Sequence, residues 1–342
     1  MKKLLLTFFL LLISNSNYSH HATGSFFDMS KPVILSGVMV ETRYINPHVK
    51  FLIETSDGEI WEIESAPVNR LQRLGYDGIA QVGDSVSFIG VSSSLGRNDF
   101  LAAAMRKDGS ADMIIDPGFA NQMRRRFDYQ FNEEVEDRNY QNASNSYSES
   151  NTVDSIFRIW TAGGAMGMSS PSPLPYSALA IAAREAWDPI IDDPALDCIP
   201  PGMPVTVDTP FPMAFREEGE NIIQQFEQWD AIRMFHMNGD LSDADSLEPS
   251  LQGYSVGRWE EDMLLVETTN ISWPYFDEYG TPQTENMIIE EKFSFDQNND
   301  TLKWEATINE PHAFDSPVTL ARDYQWIPGE ELKPYNCEFE RD

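Results

Sequence analysis

Five histidines are few enough in this 342-residue chain to take singly, and three of them, His20, His21 and His48, precede residue 50. If a leader is removed after Ser19, His20 carries the free α-amine, so amine and imidazole can chelate one ion together. His21 or His48 would supply a further nitrogen. A near-planar, all-nitrogen set suits Cu(II), which makes copper the cofactor this group would take. The competing reading of the same residues is a polar mature terminus and a histidine at the β corner Asn46-Pro47-His48.

A second group lies in the C-terminal half. In Ile232-Arg233-Met234-Phe235-His236-Met237, strand alternation puts Met234 and His236 on one face and Arg233, Phe235 and Met237 on the other. Glu290 and Glu291 also fall on opposite faces, so one of them points inward. Near Arg233 or Arg258 that carboxylate would form a buried ion pair or hold a ligand. Arg233, His236, Trp259 and Glu290 are therefore the candidate ligand-binding residues. Glu260-Glu261-Asp262 reads as a solvated hairpin turn. No Gly-x-Ser-x-Gly elbow, phosphate loop, dinucleotide fingerprint or His-Glu-x-x-His is present, which counts against ordinary hydrolase and nucleotide chemistry. No catalytic residue is assigned.

Two cysteines exclude a disulfide-dense scaffold and a four-cysteine metal site. In an oxidising compartment Cys198 and Cys337 pair naturally, closing a loop of roughly 140 residues. Export is expected from the N-terminus: Lys2 and Lys3, the apolar run Leu4–Ile13, then a polar stretch offering cleavage after Ser16 or Ser19. The apolar run is too short to span a bilayer as a helix, which takes about 20 residues. Residues 1–19 thus read as a signal peptide and the product as periplasmic or secreted, with no membrane span.

The elements that must position these side chains are mostly β. Residues 20–118 hold three β-rich segments, a short helix at Pro67–Leu74 and two more β segments, the order of an OB-like five-stranded barrel. The fifth strand is read in Phe100–Arg106 or in Ala111–Ile115. Residues 119–155, with Arg124-Arg125-Arg126 and an Asn/Ser-rich run, read as a charged, polar linker. Residues 156–342 begin with a helix near Tyr176–Trp187. They continue as nine short strands, from Met213–Glu217 to Lys333–Phe339, favouring an antiparallel barrel or sandwich. Gly257-x-Trp259 is similar to the lipocalin Gly-x-Trp, an architectural analogy only.

The formal net charge is −31, and −33 once Lys2 and Lys3 are removed with the leader. Residues 184–342 alone carry 9 bases against 35 acids. Nucleic acid and anionic membrane surfaces are repelled by such a chain.

His20-His21-x-x-x-x-Phe26, Lys31-Pro32-Val33, Gly37 and Tyr44-Ile45-Asn46-Pro47-His48 resemble an uncharacterised family of exported bacterial two-domain β proteins. The resemblance continues in Asp192-Asp193-Pro194-Ala195-Leu196-x-Cys198-x-Pro200-Pro201-Gly202-Met203-Pro204. It extends to Ser255-x-Gly257-Arg258-Trp259-Glu260-x-Asp262. It implies cleavage just before His20 and places His20, His21 and His48 in a family pattern, though it brings no established activity. The chain departs from the pattern in its long polar linker and in Ser19, where alanine is usual. Three functions are expected in order: a binding protein for an apolar or amphipathic small molecule in the C-terminal barrel, a copper-binding protein, and an enzyme on an apolar substrate using Arg233, His236 and an inward Glu.

Overall fold

The computed structural model describes residues 26–107, 109–132, 155–162, 168–189, 191–296, 300–326 and 328–338. The expected leader, His20 and His21 lie outside the described residues, as does the segment 133–154. The protein is mostly β, with one closed five-stranded barrel followed by one closed nine-stranded barrel.

The first barrel is built from β1 (Val33–Arg43), β2 (Lys50–Glu54), β3 (Ile60–Glu64), β4 (Ser85–Ser92) and β5 (Asp99–Lys107), with α1 (Val68–Arg73) between β3 and β4. The strand order is β3-β2-β1-β4-β5, and a parallel β3–β5 pairing closes the ring. β1 is long enough to serve two neighbours, pairing through Val33–Val38 with β4 and through Val38–Arg43 with β2. The β4–β5 register shifts at Ile89/Gly90, where β5 carries Ala103 as an extra residue, and a Cβ on Gly90 would stand 1.8 Å from the Leu101 carbonyl oxygen, so only glycine allows this pairing. Met39, Phe51, Ile53, Ile63, Phe88 and Phe100 fill the barrel. The alternative fifth strand, 111–115, contributes only the short β6 (Met113–Ile114) at the edge of β5.

The edge of this unit falls later than residue 118. Asp116 caps α2 (Pro117–Phe127) by accepting a hydrogen bond from the Phe119 amide at 2.9 Å. Phe119, Ala120 and Met123 are buried against Ile89, Val91 and Leu101 on the outside of β4 and β5. Arg124, Arg125 and Arg126 crowd the last turn, where positive charge complements the carbonyl end of the helix. Asn132 still pairs with Asp112 through its amide and carbonyl. A three-residue apolar stripe suffices to dock a helix whose remaining surface is polar.

The second barrel comprises β7 (Ile159–Ala162), β8 (Met213–Glu218), β9 (Asn221–Phe226), β10 (Ile232–His236), β11 (Tyr254–Glu260), β12 (Met263–Thr269), β13 (Ile288–Asp296), β14 (Thr301–Asn309) and β15 (Val318–Trp326). All pairs are antiparallel except β10–β11. Eight strands match the expected set. The ninth is β7, because residues 333–338 form only an isolated bridge between Cys337 and Asn46 of the first barrel. Before β8 comes α3 (Ala178–Ala186), capped by Ser177.

That C-terminal segment straps the barrels together. The Asn46 side chain donates to the Tyr335 carbonyl and accepts from the Val68 amide at 3.0 Å, while the Glu338 amide donates to the Asn46 carbonyl. Arg73, on α1, forms a bidentate pair with Glu227, at 2.7 and 2.5 Å, and reaches Glu330 at 2.8 Å. Burial alone would pull the Arg73 pKa down, yet Glu227 and Glu330 outweigh it and hold the group above its ordinary value. Cys198 and Cys337 form a disulfide, Cα–Cα 5.9 Å, that fixes the strap to the segment before β8. Removing Arg73 strands the fully buried Glu227 carboxylate without its cation. Arg73→Ala is expected to lower unfolding free energy by about 3–5 kcal/mol, and Arg73→Leu combined with Glu227→Leu by much less, both read by denaturant titration.

Candidate functional site

The bore of the second barrel is packed with side chains. Phe215 and Phe293 meet at 5.3 Å, with Phe235, Leu264, Ile289, Trp304 and Ile308 around them. At its polar centre Arg233 faces Glu291, the two side chains being 1% and 0% exposed. Arg233 Nη1 donates to Glu291 Oε1 at 2.9 Å and to Gln224 at 3.3 Å, Nη2 donates to Thr268, and Nε donates to Ser255. The Trp304 indole N–H donates to Glu291 Oε1 at 2.9 Å. Five donors and a carboxylate are thereby matched within the core. The inward carboxylate is Glu291, and it forms an ion pair rather than a vacant anchor.

The expected ligand-binding quartet is not assembled. Glu290 lies exposed on the outer wall, opposite Glu267 of β12. His236 also faces outward, its ring stacked on Tyr254 at 4.5 Å. Trp259 shares the inward parity of Ser255 and Gly257 but stands at the barrel end, 45% exposed, edge-on to Phe157 at 6.5 Å. Arg233 alone is interior. The period-two pattern placed Arg233 and His236 on opposite faces, and the structure keeps them there.

His48 is half-buried on the first barrel. Its Nδ1 lies 2.9 Å from the Ser65 carbonyl oxygen and 3.5 Å from Glu64 Oε1. Among the described residues no cluster of three or more His, Cys, Asp or Glu side chains is arranged to hold a metal ion. The partner nitrogens expected from His20 and His21 fall outside them.

A concave feature with convergent polar groups lies at the end of the second barrel, between the disulfide segment, the β9–β10 turn and the loop after β12. Trp187, Trp229, Trp273 and Tyr275 line it with Asp193, Asp208, Asp277 and Glu278. Three of the rings form a chain of edge contacts, Trp187–Tyr275 at 4.8 Å and Trp273–Tyr275 at 5.7 Å. Two glycines permit this packing: a Cβ at Gly280 would come within 2.4 Å of the Trp187 ring, and one at Gly202 within 2.4 Å of the Trp273 Cβ. Trp229 adopts φ 63° in the β9–β10 turn and packs on Tyr335 of the strap at 5.0 Å.

The acidic groups are held as firmly. Asp277 accepts from the Tyr279 amide at 2.9 Å and from the Thr281 hydroxyl at 2.7 Å, and pairs with Arg184. Asp193 accepts from the Ala195 amide at 2.9 Å. Asp208 pairs with the buried Arg322. Among the described residues the buried indole N–H groups of Trp187 and Trp273, and Arg322 Nε, have no hydrogen-bond partner. Buried donors without acceptors are rare and costly, and two of these three, the indoles, belong to residues that line the cleft. Sequence reading missed this site because its aromatics come from three separate segments. Only the 192–204 stretch carried a signal, as one of the motifs of the family resemblance.

Burial pushes the Asp208 carboxyl up to about 6, with Glu278 adding to the rise and Arg322 opposing it. A raised carboxyl binds its proton more tightly in the folded chain, so its stabilising contribution is full below about pH 4 and lost as pH rises through about 6.

Residues 9–101 match the model of a family of unknown function (DUF6152). The matched stretch takes in His20, His21, Asn46-Pro47-His48 and the first barrel as far as the first three residues of β5. No curated protein matches the chain. The cleft and the second barrel lie outside the matched residues.

From pH 4 to pH 6 the protein is expected to lose on the order of 1 kcal/mol per pH unit of unfolding free energy on account of Asp208. Denaturant midpoints at stepped pH should show that slope reduced in Asp208→Asn. An unchanged slope assigns it to other groups.

Proposed function

We propose that the chain is an exported binding protein, periplasmic or secreted, that holds a small organic molecule in the aromatic cleft at the end of its second barrel. The observation that carries this is the wall of Trp187, Trp229 and Tyr275, half-buried rings backed by the buried Trp273 and set beside convergent carboxylates. Apolar surface with a few placed polar groups is the usual make-up of a ligand pocket. The site sits outside the bore, whose volume is taken by aromatic side chains and the Arg233–Glu291 pair. A Cys198–Cys337 disulfide and the apolar run Leu4–Ile13 support folding in an oxidising compartment after export. Among the described residues no helix is long and apolar enough to cross a membrane. The test is mass spectrometry of the protein isolated under native conditions. A small organic molecule is expected to accompany wild type and to be lost from Trp187→Ala, while its retention by that variant would place the site elsewhere.

A second reading, copper binding by the N-terminal region, is favoured by one observation. His48 Nδ1 engages the Ser65 carbonyl, and when that nitrogen carries the proton the lone pair resides on Nε2, the state in which imidazole ligates metals. Copper titration of protein shown by N-terminal sequencing to begin at His20 should give tight binding. His20→Ala and His48→Ala should each weaken it at least tenfold. Unchanged affinity in both variants, or a mature chain that begins before His20, removes this reading.

A further inference from the structure

We propose that the outward face of α3 is a docking surface for a cationic amphipathic helix of another protein. The inference stands apart from the small-molecule reading and uses no residue of the cleft.

The side chains of α3 are arranged the wrong way round for a helix that faces only water. At about 100° per residue, Ile181, Glu185, Ala178, Ala182, Ala186 and Leu179 sweep an arc of about 160°. All six are exposed, and Glu185 is the one charged residue among them. Surface helices ordinarily turn their polar side chains outward. Here Ala180 is buried, and Arg184, the only cation, turns inward to Asp277 and Thr281, with its guanidinium 4.5 Å from the centre of the Tyr176 ring. Leu179 is 52% exposed and Ile181 48%. Ile191, in the turn that follows, reaches 77%. That turn is fixed in place: the Asp192 amide donates to the Asp188 carbonyl at 2.7 Å, and the Asp192 carboxylate accepts the Asp188 amide at 2.8 Å. The apolar surface is therefore set before any partner arrives.

Charge says what covers it. Glu185, Asp188 and Asp192 are exposed and gather at the carbonyl end of α3, where the helix dipole is already negative. Acids at that end oppose the helix they belong to, and a cation brought by a partner is attracted by the acids and by the carbonyl end together. An apolar centre with a charged rim is the usual make-up of a protein interface, and lysines or arginines beside an apolar stripe complement this rim in sign. Ala178, Ala182 and Ala186 form an i, i+4, i+8 ridge between Ile181 and Leu179, the kind of row along which a second helix packs. A second copy of the chain would bring the same acids to the same face, on a molecule whose formal net charge is −31. An anionic lipid surface is repelled in the same way.

The test is fluorescence anisotropy of the whole processed chain with a labelled synthetic amphipathic helix that carries leucines on one face and lysines beside them. Two control peptides replace each lysine by glutamate, or keep the composition and scatter the leucines. The lysine peptide should bind saturably, and both controls at least tenfold more weakly. Leu179→Asn combined with Ile181→Asn leaves the net charge unchanged and alters only exposed side chains. This double variant should melt with wild type and bind the lysine peptide about tenfold more weakly. Glu185→Gln should slow association and flatten its salt dependence. The proposal is overturned if the double variant binds as wild type does, because the attraction is then general to an acidic protein. Equal binding of either control peptide overturns it as well. Sedimentation that shows a wild-type dimer and a monomeric double variant assigns the face to a second copy instead. Capture of wild type but not of the double variant by phosphatidylcholine vesicles assigns it to a membrane surface, and either result replaces the helix partner.

Discussion

The guanidinium of Arg73, buried between the two barrels, is the charge around which the rest is arranged. It leaves the first barrel on α1 and meets Glu227 at the end of β9, with Glu330 of the strap beside it. Glu227 in turn accepts the Lys333 amide at 2.8 Å, and two residues on Asp230 accepts that of Tyr335. Between those two acids lie Gln228 and Trp229, one side of the aromatic cleft. The opposite side runs from Asp193 to Pro201 and contains Cys198, tied to Cys337 of the same strap. Both walls therefore depend on one extended segment whose place is set by a cation from the other barrel. An Arg–carboxylate pair so deeply buried contributes geometry more surely than it contributes stability.

The polar centre of the second barrel does similar work on a smaller scale. Arg233 and Glu291 join β9, β10, β11, β12, β13 and β14 through Gln224, Ser255, Thr268 and Trp304. Each partner is specific to one register, and a slip by one residue would send every one of these groups to the acidic exterior. Among the described residues the bore is filled by this pair and the aromatic side chains around it.

Much of the architecture was legible in the residues. Ser56-Asp57-Gly58 marks the β2–β3 hairpin, with Gly58 at φ 84°, and Val68, Leu71 and Gly75 mark α1, so the order of the first barrel could be read directly. Eight of the nine strands of the second barrel were legible from their β-rich runs and marked turns. What escaped was long-range. β7 is four residues, Ile159–Ala162, indistinguishable by pattern from any short apolar run. Residues 333–338 look like a strand, yet their backbone groups are committed to Asn46, Asn69 and Asp230. α2 hides its apolar stripe under three arginines. The cleft gathers Trp187, Trp229, Trp273 and Tyr275 from loops that share no period, and alternation cannot report residues that meet only through the fold. Of the paired acids at 290 and 291, parity says that one is inside; only the register fixes which.

Asn46 is half of an unfinished contact within the stretch that matches the family of unknown function. Its amide sits 3% exposed, yet the carbonyl it grips belongs to Tyr335, far beyond residue 101. The first barrel on its own would therefore carry an open slot, floored by Asn46 and Asn69 and flanked by Arg73, shaped for an extended peptide backbone with an acidic side chain. Here the chain fills that slot with its own tail. In this chain the slot acts as a socket and the strap as a built-in plug.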